Sequence, residues 1–154
     1  MAGTELVDRG PLRALSQALG GGLRPGEVGV VRARPGTGKT ALVIQFALER
    51  LLRGEPVLHL SVHDTIETTR DGYDSLLSGL TGHLRPLERA EARLQVEQHR
   101  VIHSTRGTLP TAPSIGALID TLAHVMEFKP ALVVVDGTEP AAATAACTML
   151  RSRR

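Results

Sequence analysis

The chain has 154 residues, 42% of them hydrophobic and 22% charged, and a formal net charge of +2. That size suits one domain able to bury roughly 70% of its unfolded surface, and this mix of apolar and charged residues excludes a disordered chain. A net charge this small does not mark a nucleic-acid binder, and with aromatics at 2% and no tryptophan the core must be built from leucine, valine and alanine.

The first residues, Met1 to Arg9, are polar and carry Glu5 and Asp8, unlike a signal peptide. No apolar run approaches the ~20 residues that cross a bilayer. Cys147 stands alone, so no internal disulfide is expected, and it reads as a small buried apolar side chain. The expected location is the cytoplasm, with no membrane contact.

In chain order, Pro11 to Leu19 reads as a short helix through Leu12, Leu15 and Leu19, ended by Gly20-Gly21-Gly22. Glu27 to Arg32 reads as a strand through Val28, Val30 and Val31. The stretch Ala33-Arg34-Pro35-Gly36-Thr37-Gly38-Lys39-Thr40 follows. It is one position short of the phosphate-loop pattern G-x-x-x-x-G-K-[ST], with Ala33 in place of the first glycine. Gly36 and Gly38 free the backbone to present N–H groups to an anion, next to the positive end of a helix. Lys39 would reach the outer phosphates of a nucleotide, and the Thr40 hydroxyl would be a ligand for Mg²⁺. The nucleotide-binding set is Arg34, Pro35, Gly36, Thr37, Gly38, Lys39, Thr40 and Ala41. A helix then carries Ala41, Ile44, Leu48 and Leu51 on one face and closes near Arg53-Gly54.

Pro56 to Val62 is a second strand, apolar on both faces as in a buried parallel sheet. Asp64-Thr65-Ile66-Glu67 offers a capping box with Asp64 as N-cap, and Asp71-Gly72 would interrupt the helix that follows. Arg85 to Arg100 is a charged helix whose mixed signs suit a solvated face. Arg100 to His103 is a short strand. Ile115, Leu118, Ile119, Leu122, Val125 and Met126 mark a helix capped by Ser114 and broken at Lys129-Pro130. Ala131 to Val135 is a buried strand ending in Asp136, and Glu139 to Arg154 is alanine-rich and expected to be helical. Strands alternating with helices imply an α/β fold, a parallel sheet flanked by helices, with the ligand at the carboxyl ends of the strands. The other histidines, His59, His83, His99, His103 and His124, lack metal-ligand spacing.

Four apolar residues followed by Asp136, far downstream of a phosphate loop, form a Walker B pattern whose task is to hold Mg²⁺ opposite Thr40. A helix-cap role for Asp136 is the alternative. Together with Gly21-Gly22-Leu23-Arg24-Pro25-Gly26-Glu27, these motifs resemble the RecA-like P-loop ATPases, closest to the DnaB-type replicative helicases, with KaiC-type ATPases next. The resemblance runs from about Leu15 to about Gly137 within a single domain spanning residues 1–154. It implies ATP and Mg²⁺ as cofactors, and a homo-oligomer with nucleotide between subunits. DNA is a partner it allows without requiring. The only aromatics are Phe46, Tyr73 and Phe128, and single-strand channels commonly stack bases on such rings. Phe46 and Phe128 fall in expected helices.

In such ATPases the second strand ends in a glutamate that polarises the attacking water. Here His63 stands at that position and Asp64 next to it. Asp64 is the candidate base if the chain turns there, with His63 orienting water; Asp64 as a helix cap and His63 as a rim residue is the alternative. The resemblance also implies strands beyond Walker B, and the chain runs only 18 residues past Asp136, so a core truncated on its C-terminal side is expected. Arg151, Arg153 and Arg154 read either as a trans arginine or as a basic tail. Three functions compete: an ATPase, a regulatory nucleotide-binding module with little hydrolysis, and a P-loop small-molecule kinase.

Overall fold

The computed structural model describes residues 23–138 together with Gln17 and Gly20. The expected helices over Pro11–Leu19 and Glu139–Arg154, and Cys147 with the terminal arginines, lie outside the described residues. Along the chain, α1 (Lys39–Leu52) is followed by β1 (Val57–Ser61), α2 (Ile66–Thr81), α3 (Pro86–His99), β2 (Arg100–Ser104), α4 (Ala112–Met126) and β3 (Leu132–Asp136). The strands form one parallel sheet in the order β2-β1-β3, giving the expected α/β class.

Each strand reads out to two cores. Val57, Leu132, Val134 and Ile102 face α1, α2 and α3, where Ile44, Ala47, Leu48, Leu51, Tyr73, Leu77, Ala92 and Val96 close one core. Leu58, Leu60, Val101, Val133 and Val135 face α4 through Ile115, Leu118, Ile119 and Leu122. Side chains alternate along a strand, so His59, Ser61, Arg100, Ser104 and Asp136 share the α1 face. β1 is buried along its whole length, as a central strand covered on both faces must be.

Several expected elements are corrected. Glu27 to Arg32 forms no strand, and Val28, Val30 and Val31 are exposed. Valines favour a strand only when a neighbour supplies the ladder, and β3 ends the sheet with β1 as its one partner. The start of this segment is tied to the far end of α1, where Arg50 Nη2 donates to the Leu23 carbonyl at 3.0 Å. Asp64 is not the cap of α2: Thr65 takes that role, accepting from the Thr68 N–H at 3.1 Å. Asp71-Gly72 does not interrupt α2, because Gly72 sits against α1, where a Cβ would come within 3.0 Å of Ile44 Cδ1. The cost of glycine inside a helix, about 1 kcal/mol, is offset by this close packing of two helices. At α4 the cap is Thr111 rather than Ser114; the two bond reciprocally, and Pro113 sits in the first turn. Phe128 lies beyond the end of α4 and packs into the second core.

One polar group is sealed inside the first core. His59 is fully buried, its Nδ1 shares a 2.9 Å hydrogen bond with the Tyr73 hydroxyl, and the Arg100 guanidinium lies 4.7 Å above the Tyr73 ring. Arg100 Nη2 also donates to Glu97 Oε1 at 2.7 Å. Burial pushes the His59 imidazole down to about 4, a pull that the Asp136 carboxylate only partly counters. The unfolded chain therefore takes up a proton near 6.5 that the folded chain refuses until about 4. Stability is expected to fall as pH drops from 6.5 to 4, by on the order of 3 kcal/mol from this residue, and to level off below. Urea unfolding at several pH values checks this, with the His59→Gln variant expected to lose that share of the slope.

Candidate functional site

The phosphate loop is built by two glycines and a lysine. Gly36 and Gly38 have φ of 77° and 86°, backbone that other residues adopt only with strain. A Cβ on either would meet nothing within 4 Å, so backbone angle, not crowding, sets the glycine requirement. Gly38 is the N-cap of α1 and supplies no side-chain cap. The first amides of a 14-residue helix are thus left for a ligand, with no acidic residue in the first turn to compete for them.

Lys39 Nζ donates to the carbonyls of Ala33 and Arg34 at 2.8 and 2.9 Å, and Thr37 Oγ1 donates to the Arg34 carbonyl at 2.6 Å. The lysine thus folds back on its own loop and keeps its charge beside the loop carbonyls. An anion there would exchange neutral carbonyl partners for charged phosphate oxygens, the stronger kind of hydrogen bond. Arg34, Pro35, Gly36, Thr37, Gly38 and Thr40 are exposed, Lys39 and Ala41 half-buried.

The other half of the site lies at the carboxyl ends of the strands. Register pairs Ser61 with Asp136 on one side and with Ser104 on the other. The Val62 N–H donates to the Asp136 carbonyl at 2.9 Å, which carries the chain off β1 beside β3. β1 ends at Ser61 and the chain bends through Val62, His63 and Asp64, so strand alternation no longer dictates which way Asp64 points. His63 is exposed and abuts the turn after Asp136: a Cβ on Gly137 would lie 3.0 Å from His63 Cδ2. Asp64 is half-buried, and its carboxylate and that of Asp136 both act through space on the buried His59 ring.

The structure therefore gathers His63, Asp64 and Asp136 at the carboxyl end of the sheet. The phosphate loop is delivered by α1, which packs against β3 and β1 on the same face. Among the described residues no hydrogen bond joins loop residues 34–41 to Asp136, His63 or Asp64. Thr40 and Asp136 provide one hydroxyl and one carboxylate, a donor set that suits Mg²⁺, which keeps most of its waters and takes few protein ligands. Among the described residues no group of three or more His, Cys, Asp or Glu side chains could hold a metal by itself, so any Mg²⁺ here would also rely on phosphate oxygens and water. Sequence reading missed Ser61 and Ser104; their signal is a serine closing each of two strands.

A glycine loop opening a helix, with an acidic strand end on the same face of a parallel sheet, defines a P-loop nucleotide-binding domain. The chain belongs to the AAA domain family, whose sequence model matches residues 4–146. It is thus an ATPase-type P-loop domain. No curated protein and no solved structure gives a significant match to the chain. No helix among the described residues is long and apolar enough to cross a membrane.

Replacing Lys39 by alanine removes a charge-assisted donor worth about 1.5–3 kcal/mol. ATP affinity is expected to fall about 10- to 100-fold, read by calorimetric titration, while the unliganded melting temperature changes little because the lysine bonds only exposed loop carbonyls.

Proposed function

We propose that this chain is a Mg²⁺-dependent, RecA-like ATPase domain of the DnaB-type kind that binds ATP at residues 34–41 and hydrolyses it. The observation that carries the reading is the loop itself: two glycines at positive φ, a lysine folded onto the loop carbonyls, and the open amides of α1. Thr40 and Asp136 would hold Mg²⁺, which supplies charge neutralisation on the outer phosphates. Lys39 and the α1 amides bind and orient the phosphate chain. Asp64 takes the proton of the attacking water, and His63, exposed beside it, orients that water. Work in an oligomer with nucleotide between subunits belongs to this reading through the resemblance of the loop and its flanks, which allows DNA as a partner without requiring it. So does a cytoplasmic location.

A second reading rests on His63. An imidazole where a carboxylate is expected favours a regulatory module that binds ATP and turns it over slowly. Steady-state phosphate release with Mg²⁺ separates the two. The first reading predicts turnover that falls about 100-fold or more in Asp64→Ala, the usual share of a positioned base, and that needs far more Mg²⁺ in Asp136→Asn. Tight binding with no turnover in the parent would select the second. Phosphate transferred to an organic acceptor instead of water would overturn both.

A further inference from the structure

The backbone of Asp64 is held on both sides by side chains from two different strands. Its N–H donates to Ser61 Oγ at 3.1 Å, and its carbonyl accepts from Ser104 Oγ at 2.8 Å. Both serines sit in firm ground. Ser61 is buried, and its carbonyl accepts from the Thr105 N–H at 2.9 Å. The Gly107 N–H donates to the Val62 carbonyl, so the loop after β2 closes over the same turn. Ser61 and Ser104 are register partners in β1 and β2.

The ordinary reason to fix an aspartate ahead of a helix is capping, and here that reason is absent. Thr65 caps α2, and among the described residues the Asp64 carboxylate takes part in no hydrogen bond or ion pair. The main chain of Asp64 is thus tied to two strands while its carboxylate, among the described residues, has no hydrogen-bond partner, at the carboxyl end of the sheet where Asp136 also stands. A base whose backbone is locked loses little freedom when it engages a water, and such orientation is a large part of catalytic efficiency.

We propose that Ser61 and Ser104 are positioning residues that hold Asp64 for water activation; this rests on the ATPase reading above. In the step, the water oxygen attacks the γ-phosphorus while the bond to the β,γ-bridging oxygen breaks, its electron pair leaving with ADP. The water proton passes to an Asp64 carboxylate oxygen and then to solvent, and the products are ADP and inorganic phosphate.

The test measures kcat, KM and the affinity for Mg-ATP in the parent and in Ser104→Ala, Ser104→Thr, Ser61→Ala, Asp64→Asn and the double variant Ser104→Ala/Asp64→Asn. Ser104→Ala is expected to lower kcat about 10-fold with KM and affinity within about twofold, the pattern of an interaction felt only in the transition state. Ser104→Thr, which keeps the hydroxyl, restores most of the rate. On the Asp64→Asn background Ser104→Ala costs nothing further, since residues acting through one another are not additive. Ser61→Ala gives the same pattern, and serves where Ser104→Ala does not fold.

Unchanged kcat in both serine variants, or equal losses with and without Asp64, would overturn the proposal. So would a loss of rate matched by a loss of affinity. A parent that binds Mg-ATP without hydrolysing it also overturns it while leaving nucleotide binding intact. Failure to bind ATP at all would instead sink the ATPase reading itself.

Discussion

Three five-residue strands in strict parallel register end in one row, Ser104, Ser61 and Asp136, and the arrangement of the site depends on that alignment. Parallel strands carry evenly spaced hydrogen bonds, so the register is set by which residues must face each core. Leu58, Leu60, Val133 and Val135 belong against α4, and Val57 and Val134 against α1. A slip of one residue would turn β3 over and drive Asp136 to the α4 face. Apolar packing along the length of the sheet thereby fixes the position of polar groups at its end. The site inherits its geometry from the core.

The division of labour follows from what each element can offer. A helix N-terminus supplies unpaired amides and a positive field, so α1 carries the phosphate loop. Strand ends supply rigid side chains on a known face, so β1, β2 and β3 carry the hydroxyls and the carboxylate. Packing α1 against β3 sets the two halves on the same face. Inside the first core, on the same face of the sheet, lies the sealed His59–Tyr73–Arg100 group. Arg100 anchors the start of β2 and His59 the middle of β1. The polar contacts that brace the sheet below the site are thus shielded from solvent, where each is worth more and each unmade bond costs more.

Much of this was legible in the residues. The glycine-lysine loop, the helix after it and Asp136 at the end of an apolar run all carry local chemistry that a sequence displays directly. The strands β1, β2 and β3 fell within a residue or two of their expected limits because β1 and β3 are compact, largely apolar runs and β2 carries the β-branched pair Val101 and Ile102. The errors share one cause, which is that a neighbour decides. Val28 to Arg32 has strand composition and no ladder. Gly72 looked like a break and is a contact point for Ile44. Asp64 or Thr65 could cap α2, and Ser114 or Thr111 could cap α4; the cap is the residue whose side chain reaches the amide three residues on. Ser61 holds the Asp64 N–H across a local spacing of three residues, whereas Ser104 reaches the Asp64 carbonyl from 40 residues away, which no spacing rule encodes.

The central claim is that the amides opening α1 and the Lys39 ammonium receive a nucleotide phosphate chain. Backbone amide resonances of the ¹⁵N-labelled protein, followed through titration with Mg-ATP, test it most directly. Saturable shifts are expected to concentrate at Gly36, Gly38, Lys39, Thr40 and Ala41, with smaller ones at Asp136 and Gly137. Saturable shifts elsewhere with residues 34–41 unmoved, or no shifts at millimolar nucleotide, would contradict it.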